Sequence, residues 1–498
     1  MTRAVVVVLV LALVSAPDAA RAQDGARAQD EAPPPGSTTA EEQRRADDQE
    51  GHTGEADESP QGHPDLARRP VPDLDQRPEP GPDAGQILIW IPRVLLWPLH
   101  AVAEYVLRAP IGTLLSTAEH QRWDILQFPP FAEGQQNAGI VPTAFIDFGF
   151  QPSGGLYTWF DNLGLRGNAL RLQAGFGGVD WLRGTVIDRL TLGERGPDGG
   201  FVGVHGSLEA KVDAWMRPDH VFLGLGPYAD GEHVARYGRR RLDGELAGTM
   251  RPWRSSEIRI STGISANEIY DTTYLDRGQL TMSDAVAAGF FEGISTLPSG
   301  FGGYTSYWQR MDVAIDTREG APMNGSGVRV EAHAELAFDV LRPLDRRWIL
   351  WGGAVGAFWD VDSGRTLGIW GAADFASRLG TEDVPFTEMP DAGGRGRMTG
   401  FRTGWITGAS TVAVSLEYRY PIWVSIQGFV NATIGNAFGP ELADFEARLL
   451  RTSYALGLRT MGDPDSSLTF QVGFGTATIE DGLDPILLRI TVGMQEGF

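Results

Sequence analysis

The sequence predicts an all-β fold, a transmembrane antiparallel β-barrel, from three observations. Residues 140–498 carry a hydrophobic period of two, the signature of strands with one wet and one apolar face. The chain opens with the features of an export signal yet contains no cysteine, so disulfides do not stabilise it in the oxidising space it is addressed to. Gly accounts for 64 of 498 residues, and Trp (14), Tyr (11) and Phe (23) are abundant, a composition suited to closely packed strands with aromatic side chains at a membrane interface.

Taken in order, the first zone is Arg3, an apolar run from Ala4 to Val14, and Ala20-Arg21-Ala22. These are the three parts of a secretory signal peptide, with cleavage expected after Ala22. The apolar run is about half of the roughly 20 residues that a spanning helix needs. From Gln23 to Gly85 there are 16 Asp and Glu against 6 Arg and almost no large apolar side chain, which predicts a disordered acidic linker. Residues 86–130 then open with a crowd of apolar side chains broken by Pro92, Pro98 and Pro110. Arg93, His100, Glu104 and Arg108 are spaced by seven, four and four, near one helical face, so a short amphipathic helix at the interface or in the barrel mouth fits better than a spanning one.

The barrel is expected over 138–498. In Phe201–Met216 the odd positions include His205, Glu209, Lys211 and Asp213, while the even ones include Val202, Val204, Leu208 and Val212. Ala169–Phe176 and Glu257–Ile264 repeat the pattern, with Arg171 and Gln173, then Arg259 and Ser261, on the polar side. A soluble sandwich also alternates in this way. Spanning strands need about 9–11 residues, so sixteen of them leave connections averaging roughly 12 residues, consistent with short turns alternating with long loops. Twelve strands would need connections near 20 residues, and spacing alone leaves 12 against 16 open; sixteen is favoured.

Composition and motifs exclude several classes. The net charge of −22 argues against a nucleic-acid partner, which needs a dense basic surface. No G-x-S-x-G, H-E-x-x-H, EF-hand or P-loop pattern occurs, and the eight histidines form no ligand-like pair. We therefore expect no enzyme activity, no cofactor, no metal and no nucleotide.

Several segments resemble the BamA/TamA-like bacterial surface antigen family of outer-membrane assembly barrels. Asp316-Thr317-Arg318-Glu319 with Pro322, Gly325 and Gly327 is similar to that family's acidic-Thr/Ser-Arg-acidic, Pro, Gly strand motif. Phe222–Pro227, Asp383–Glu388, Gly393-Gly394, Met398-Thr399-Gly400-Phe401-Arg402, SLEYRYPIW with Glu417, and GFVNATIGNAF with Asn431 follow in the family's order. The chain closes on Phe498, similar to the aromatic C-terminal insertion signal of barrel proteins.

The resemblance implies that Met398–Arg402 is the tip of a loop folded back into the lumen. In the family an Arg at that tip bonds carboxylates on the two following strands; the matching positions here are Thr399 and Asn431, and Glu417 alone keeps its acid. A Thr399–Asn431 hydrogen bond and an Arg402–Glu417 ion pair are the two substitutes left open. In place of the family's periplasmic POTRA domains stands the acidic linker. The implied function is to insert or translocate protein or lipid at the outer membrane, with outer-membrane lipid, unfolded outer-membrane proteins or lipid cargo as partners. The alternative is a passive pore or structural surface antigen. Insertion would use the seam between the first strand, near Ile140–Phe150, and the last, near Pro485–Phe498, by β-augmentation.

Overall fold

A computed structural model describes residues 137–496, apart from 179, 196–200, 230, 254, 277, 319–324, 363, 395–396, 424–425 and 461–465. The expected signal peptide, acidic linker and amphipathic helix lie outside the described residues, as do Pro322 and Phe498.

The strands run Ala138–Asp147 (β1), Ser153–Asp161 (β2), Asn168–Gly178 (β3), Trp181–Arg195 (β4), Phe201–Phe222 (β5), Ala235–Arg251 (β6), Glu257–Asp271 (β7) and Leu280–Thr281 (β8). They continue as Tyr304–Asp316 (β9), Gly327–Asp339 (β10), Arg347–Asp362 (β11), Arg365–Arg378 (β12), Ser410–Trp423 (β13), Ile426–Phe438 (β14), Arg451–Thr460 (β15), Ser466–Thr478 (β16) and Pro485–Glu496 (β17). Sixteen of them pair antiparallel with their chain neighbours, and β1 pairs with β17, so the sheet closes on itself. The two-residue β8 is an addition, lying parallel to the start of β6. It leads into a short helix, Met282–Ala287 (α1), whose N-terminus is capped by the Thr281 hydroxyl.

Alternation decides which side chain faces where. Along β5, Leu208 and Val212 point outward and are about half exposed (54% and 46%), whereas Glu209 and Asp213, each the next residue, are buried. The same parity puts Leu246, Ile260, Ile264, Met311, Val355, Val414 and Leu488 on the outer surface. Stacked aromatic pairs on neighbouring strands, Trp351 with Phe375 and Tyr454 with Phe474, lie on that outer face, with ring centroids 4.3 and 4.9 Å apart. Each barrel strand has a neighbour on both sides, and the apolar outer face suits hydrocarbon, which cannot satisfy free backbone groups.

The inner face is ionic. Arg183 forks onto Asp213, Arg259 bridges Glu209 (2.9 Å) and Glu245 (2.7 Å), and Arg310 pairs with Asp312. Opposite charges on the same strand, on adjacent strands or one strand further apart satisfy one another without large numbers of apolar side chains in the lumen.

The two ends differ. Where β1 begins, the connections are short, such as 363–364 and 424–425; at the opposite end residues 223–234, 272–303 and 379–409 form long loops. These loops build an apolar cap in which Phe222, Phe291 and Phe386 meet edge to face over Met282, Trp348 and Tyr304. The 223–234 loop crosses to the far wall, where Arg451 donates to the Ala229 carbonyl (2.6 Å) and Asn436 to that of Pro227 (3.3 Å).

Candidate functional site: the barrel seam and the loop seated beside it

The segment from Pro390 to Gly408 turns inward because its own backbone closes it. Ala392 N–H donates to Ile406 C=O (2.9 Å), Met398 N–H to Ala392 C=O (2.7 Å) and Gly394 N–H to Phe401 C=O (2.9 Å). Asp391 clamps the base of the loop by accepting from Gly393 N–H (2.9 Å) and Gly404 N–H (2.6 Å). Burial pushes the Asp391 carboxyl up to about 6 even though those two N–H groups favour its ionised form.

Met398 and Phe401 are fully buried at the tip, packed with Trp405, Ile406 and Val221. The tip lies against β15, β16 and β17. Gly400 N–H donates to the Ser453 hydroxyl (2.8 Å), and the Thr399 carbonyl accepts from Gln471 (3.1 Å) and Arg489 (2.9 Å). A Cβ on Gly400 would sit 2.3 Å from the Phe474 carbonyl oxygen, so only glycine permits this approach. Gly475 leaves the space that the Phe401 ring fills, since a Cβ there would meet the ring at 2.6 Å.

Asn431 and Glu417, expected as partners of the tip, bond elsewhere. Glu417 takes both nitrogens of Arg419 (2.7 and 3.0 Å), and Asn431 donates to Ser415 (2.8 Å) and accepts from Thr433 (2.7 Å). The Thr399 hydroxyl is buried without a partner, so it makes no bond to Asn431, and Arg402 is not joined to Glu417. Arg402 instead packs against Gly149, just beyond β1, where burial and the nearby Arg236 hold its pKa below the usual guanidinium range. In the strand motif, Asp316 is fully buried and holds both Arg318 (2.7 Å) and Arg329 (3.0 Å), while Phe358 lies under the Arg318 guanidinium at 4.0 Å. Open space surrounds Gly325.

The seam is where the geometry departs most from the rest of the barrel. β1 and β17 share three residue pairs, Phe145 with Gly493, Ile146 with Val492 and Asp147 with Thr491, extended by Phe148 N–H to Ile490 C=O (3.2 Å). Continued in register, Ala144, Thr143 and Pro142 would meet Met494, Gln495 and Glu496, and they do not pair. Two residues account for this. Phe148 N–H points to β17 and Asn137 C=O to β2, so even-numbered β1 residues face the seam; Pro142 is among them and has no N–H to give. Gly493 has a positive φ (+150°), and a Cβ there would approach the Ala144 carbonyl oxygen to 2.2 Å, which marks an irregularity in β17.

Side chains supply what the ladder lacks. Arg489 on β17 donates to both oxygens of Asp147 on β1, at 3.0 and 2.8 Å, and both residues are buried. Its remaining nitrogen donates to the carbonyls of Gly394 (2.6 Å) and Thr399 (2.9 Å) in the loop. Sequence reasoning missed this pair. The available signal was that Asp147 is the lone charge within AGIVPTAFID and Arg489 the lone charge within PILLRITV.

No family model matches the chain, and no curated protein matches it. Among solved structures it is similar to BamA from Haemophilus ducreyi lacking POTRA domains 1–3, at 15% identity over 72% of this chain and 70% of that one, with a TM-score of 0.47. This chain resembles the barrels of BamA and CdiB. With CdiB from Acinetobacter baumannii the identity is 11%, the TM-score 0.43, and the coverage 72% of this chain and 60% of that one. Wzi, described as an outer-membrane protein involved in Group 1 capsule assembly in Escherichia coli and a carbohydrate-binding β-barrel, aligns at 12% identity over 76% of this chain and 86% of its own, with a TM-score of 0.31.

Proposed function

We propose that this protein is an outer-membrane barrel that inserts or translocates protein or lipid cargo at the seam between β1 and β17. One observation carries the reading: among the described residues the seam holds three residue pairs, while every other adjacent pair of barrel strands holds at least eight. Ala138 and Ile140 each turn N–H and C=O toward this gap, Ala144 an N–H, and Pro142 a carbonyl alone. In hydrocarbon, each unpaired group costs several kcal/mol, so an incoming strand that pairs with this edge is favoured. Pro142 interrupts the row, which limits spontaneous pairing by the wrong strand.

The passive-pore alternative has less support, because the 223–234 loop spans the long-loop mouth through Ala229 and Pro227 and the apolar cap packs beneath it. Reconstitution of the mature chain in liposomes tests the choice. Faster folding of a test barrel protein than in empty liposomes is expected. Ion conductance with no acceleration of folding would overturn the reading in favour of a pore.

A further inference from the structure

Arg489 is the point at which two separate events meet. Its bidentate bond to Asp147 holds the first strand to the last, and its third nitrogen is held by the loop carbonyls of Gly394 and Thr399. Among the described residues the ladder between β1 and β17 is three residue pairs long. The loop in turn is seated by contacts on β15 and β16 that do not involve β1: Ser453 accepts from Gly400 N–H, and Phe401 lies over Gly475.

A guanidinium is a planar fork, so carbonyls that fix one edge also fix the direction of the other. With the loop seated, the free edge of Arg489 is aimed at Asp147. With the loop displaced, the same side chain loses two acceptors and the orientation they impose. Arg402, from the same loop, brings a second positive charge to this corner beside Gly149.

We propose that Arg489 couples the lumen loop to the seam, so that seating of the loop and closure of β1 against β17 are thermodynamically linked. The inference rests on the seam being the working part of the barrel, but its test reads seam closure and loop seating directly and needs no cargo. Linkage is reciprocal: whatever unseats the loop opens the seam, and whatever opens the seam at Asp147 loosens the loop to the same degree. Arg489 is thus a positioning residue for the seam.

The chain has no cysteine, so engineered thiols report without background. Ile146→Cys with Val492→Cys, an outward-facing pair within the short ladder, reports seam closure through the rate of disulfide formation in detergent micelles or liposomes. Thr399→Cys, at a position whose hydroxyl oxygen is buried, reports loop seating through its rate of maleimide labelling. Ser453→Ala and Gly400→Val act on the loop and touch neither seam strand. Each is expected to slow the 146–492 disulfide, by about fivefold or more for Gly400→Val. Asp147→Asn, made at the seam, is expected to speed labelling of Thr399→Cys, and Arg489→Gln to do both.

If Gly400→Val fails to fold, Ser453→Ala and Asp147→Asn still give the two directions of the test. Loop variants that speed labelling of Thr399→Cys while the 146–492 disulfide forms at the unaltered rate would overturn the coupling. So would Asp147→Asn with a slowed disulfide and unchanged labelling. Neither result bears on whether the barrel accelerates folding of a client, so failure of this inference and failure of the proposed function are distinguishable.

Discussion

The β5–β6 hairpin and the β1–β17 seam belong to one sheet and close in different ways. β5 is 22 residues long and shares sixteen residue pairs with β6, while β1 and β17 share three. In the hairpin the backbone ladder holds the strands, and ion pairs are incidental to it. At the seam a buried Asp147–Arg489 pair and a loop seated on the inner wall stand in for missing ladder. The same interaction type therefore carries different weight in the two places, because stability depends on what remains when it is removed.

Removing one partner of the buried pair exposes this most sharply. Arg489→Ala leaves Asp147 buried and unpaired, a change worth about 3–5 kcal/mol, and should lower the thermal midpoint and abolish heat-modifiable migration on gels at moderate temperature. By contrast, Arg240→Ala on β6, whose Glu268 partner is exposed, should cost about 0.5 kcal/mol or less and leave the midpoint unchanged. Equal losses at the two positions would break the comparison. Ser453→Ala removes the acceptor of Gly400 N–H and should cost about 1 kcal/mol, read as a smaller shift of the same midpoint.

The alternation of Phe201–Met216 was legible because a period of two needs no knowledge of neighbours: Glu209 and Asp213 are inside, Leu208 and Val212 outside. Strand number was less so, because connections range from residues 424–425 to the long 272–303 segment and an average conceals that spread. The closing pair was illegible for a physical reason. Asp147 and Arg489 are 342 positions apart, and only the closure of the sheet and its register bring them together. The wall on which Met398–Arg402 rests was not legible. Glu417 and Asn431 are already satisfied by Arg419 and by Ser415 and Thr433, while Ser453 and Gln471 are polar strand residues like many others in the chain.

Smaller effects sharpen the contrast. Pro142→Ala restores a donor on the seam side of β1 and should speed formation of the 146–492 disulfide by about twofold, corresponding to a fraction of a hydrogen bond's net worth. Protonation acts at the base of the loop. The Asp391 pKa is raised to about 6, so its contribution to stability is fully present below about 4, the ordinary carboxyl range, and is lost as pH rises through 6. The thermal midpoint of the wild-type chain relative to Asp391→Asn should therefore fall between pH 4 and pH 7, by about 4 °C.

The central claim, that the barrel works through its seam, is tested most directly by locking it. The Ile146→Cys, Val492→Cys chain, reconstituted in liposomes, should accelerate folding of a test barrel when reduced and lose that acceleration when oxidised. Equal acceleration in both states would contradict the account.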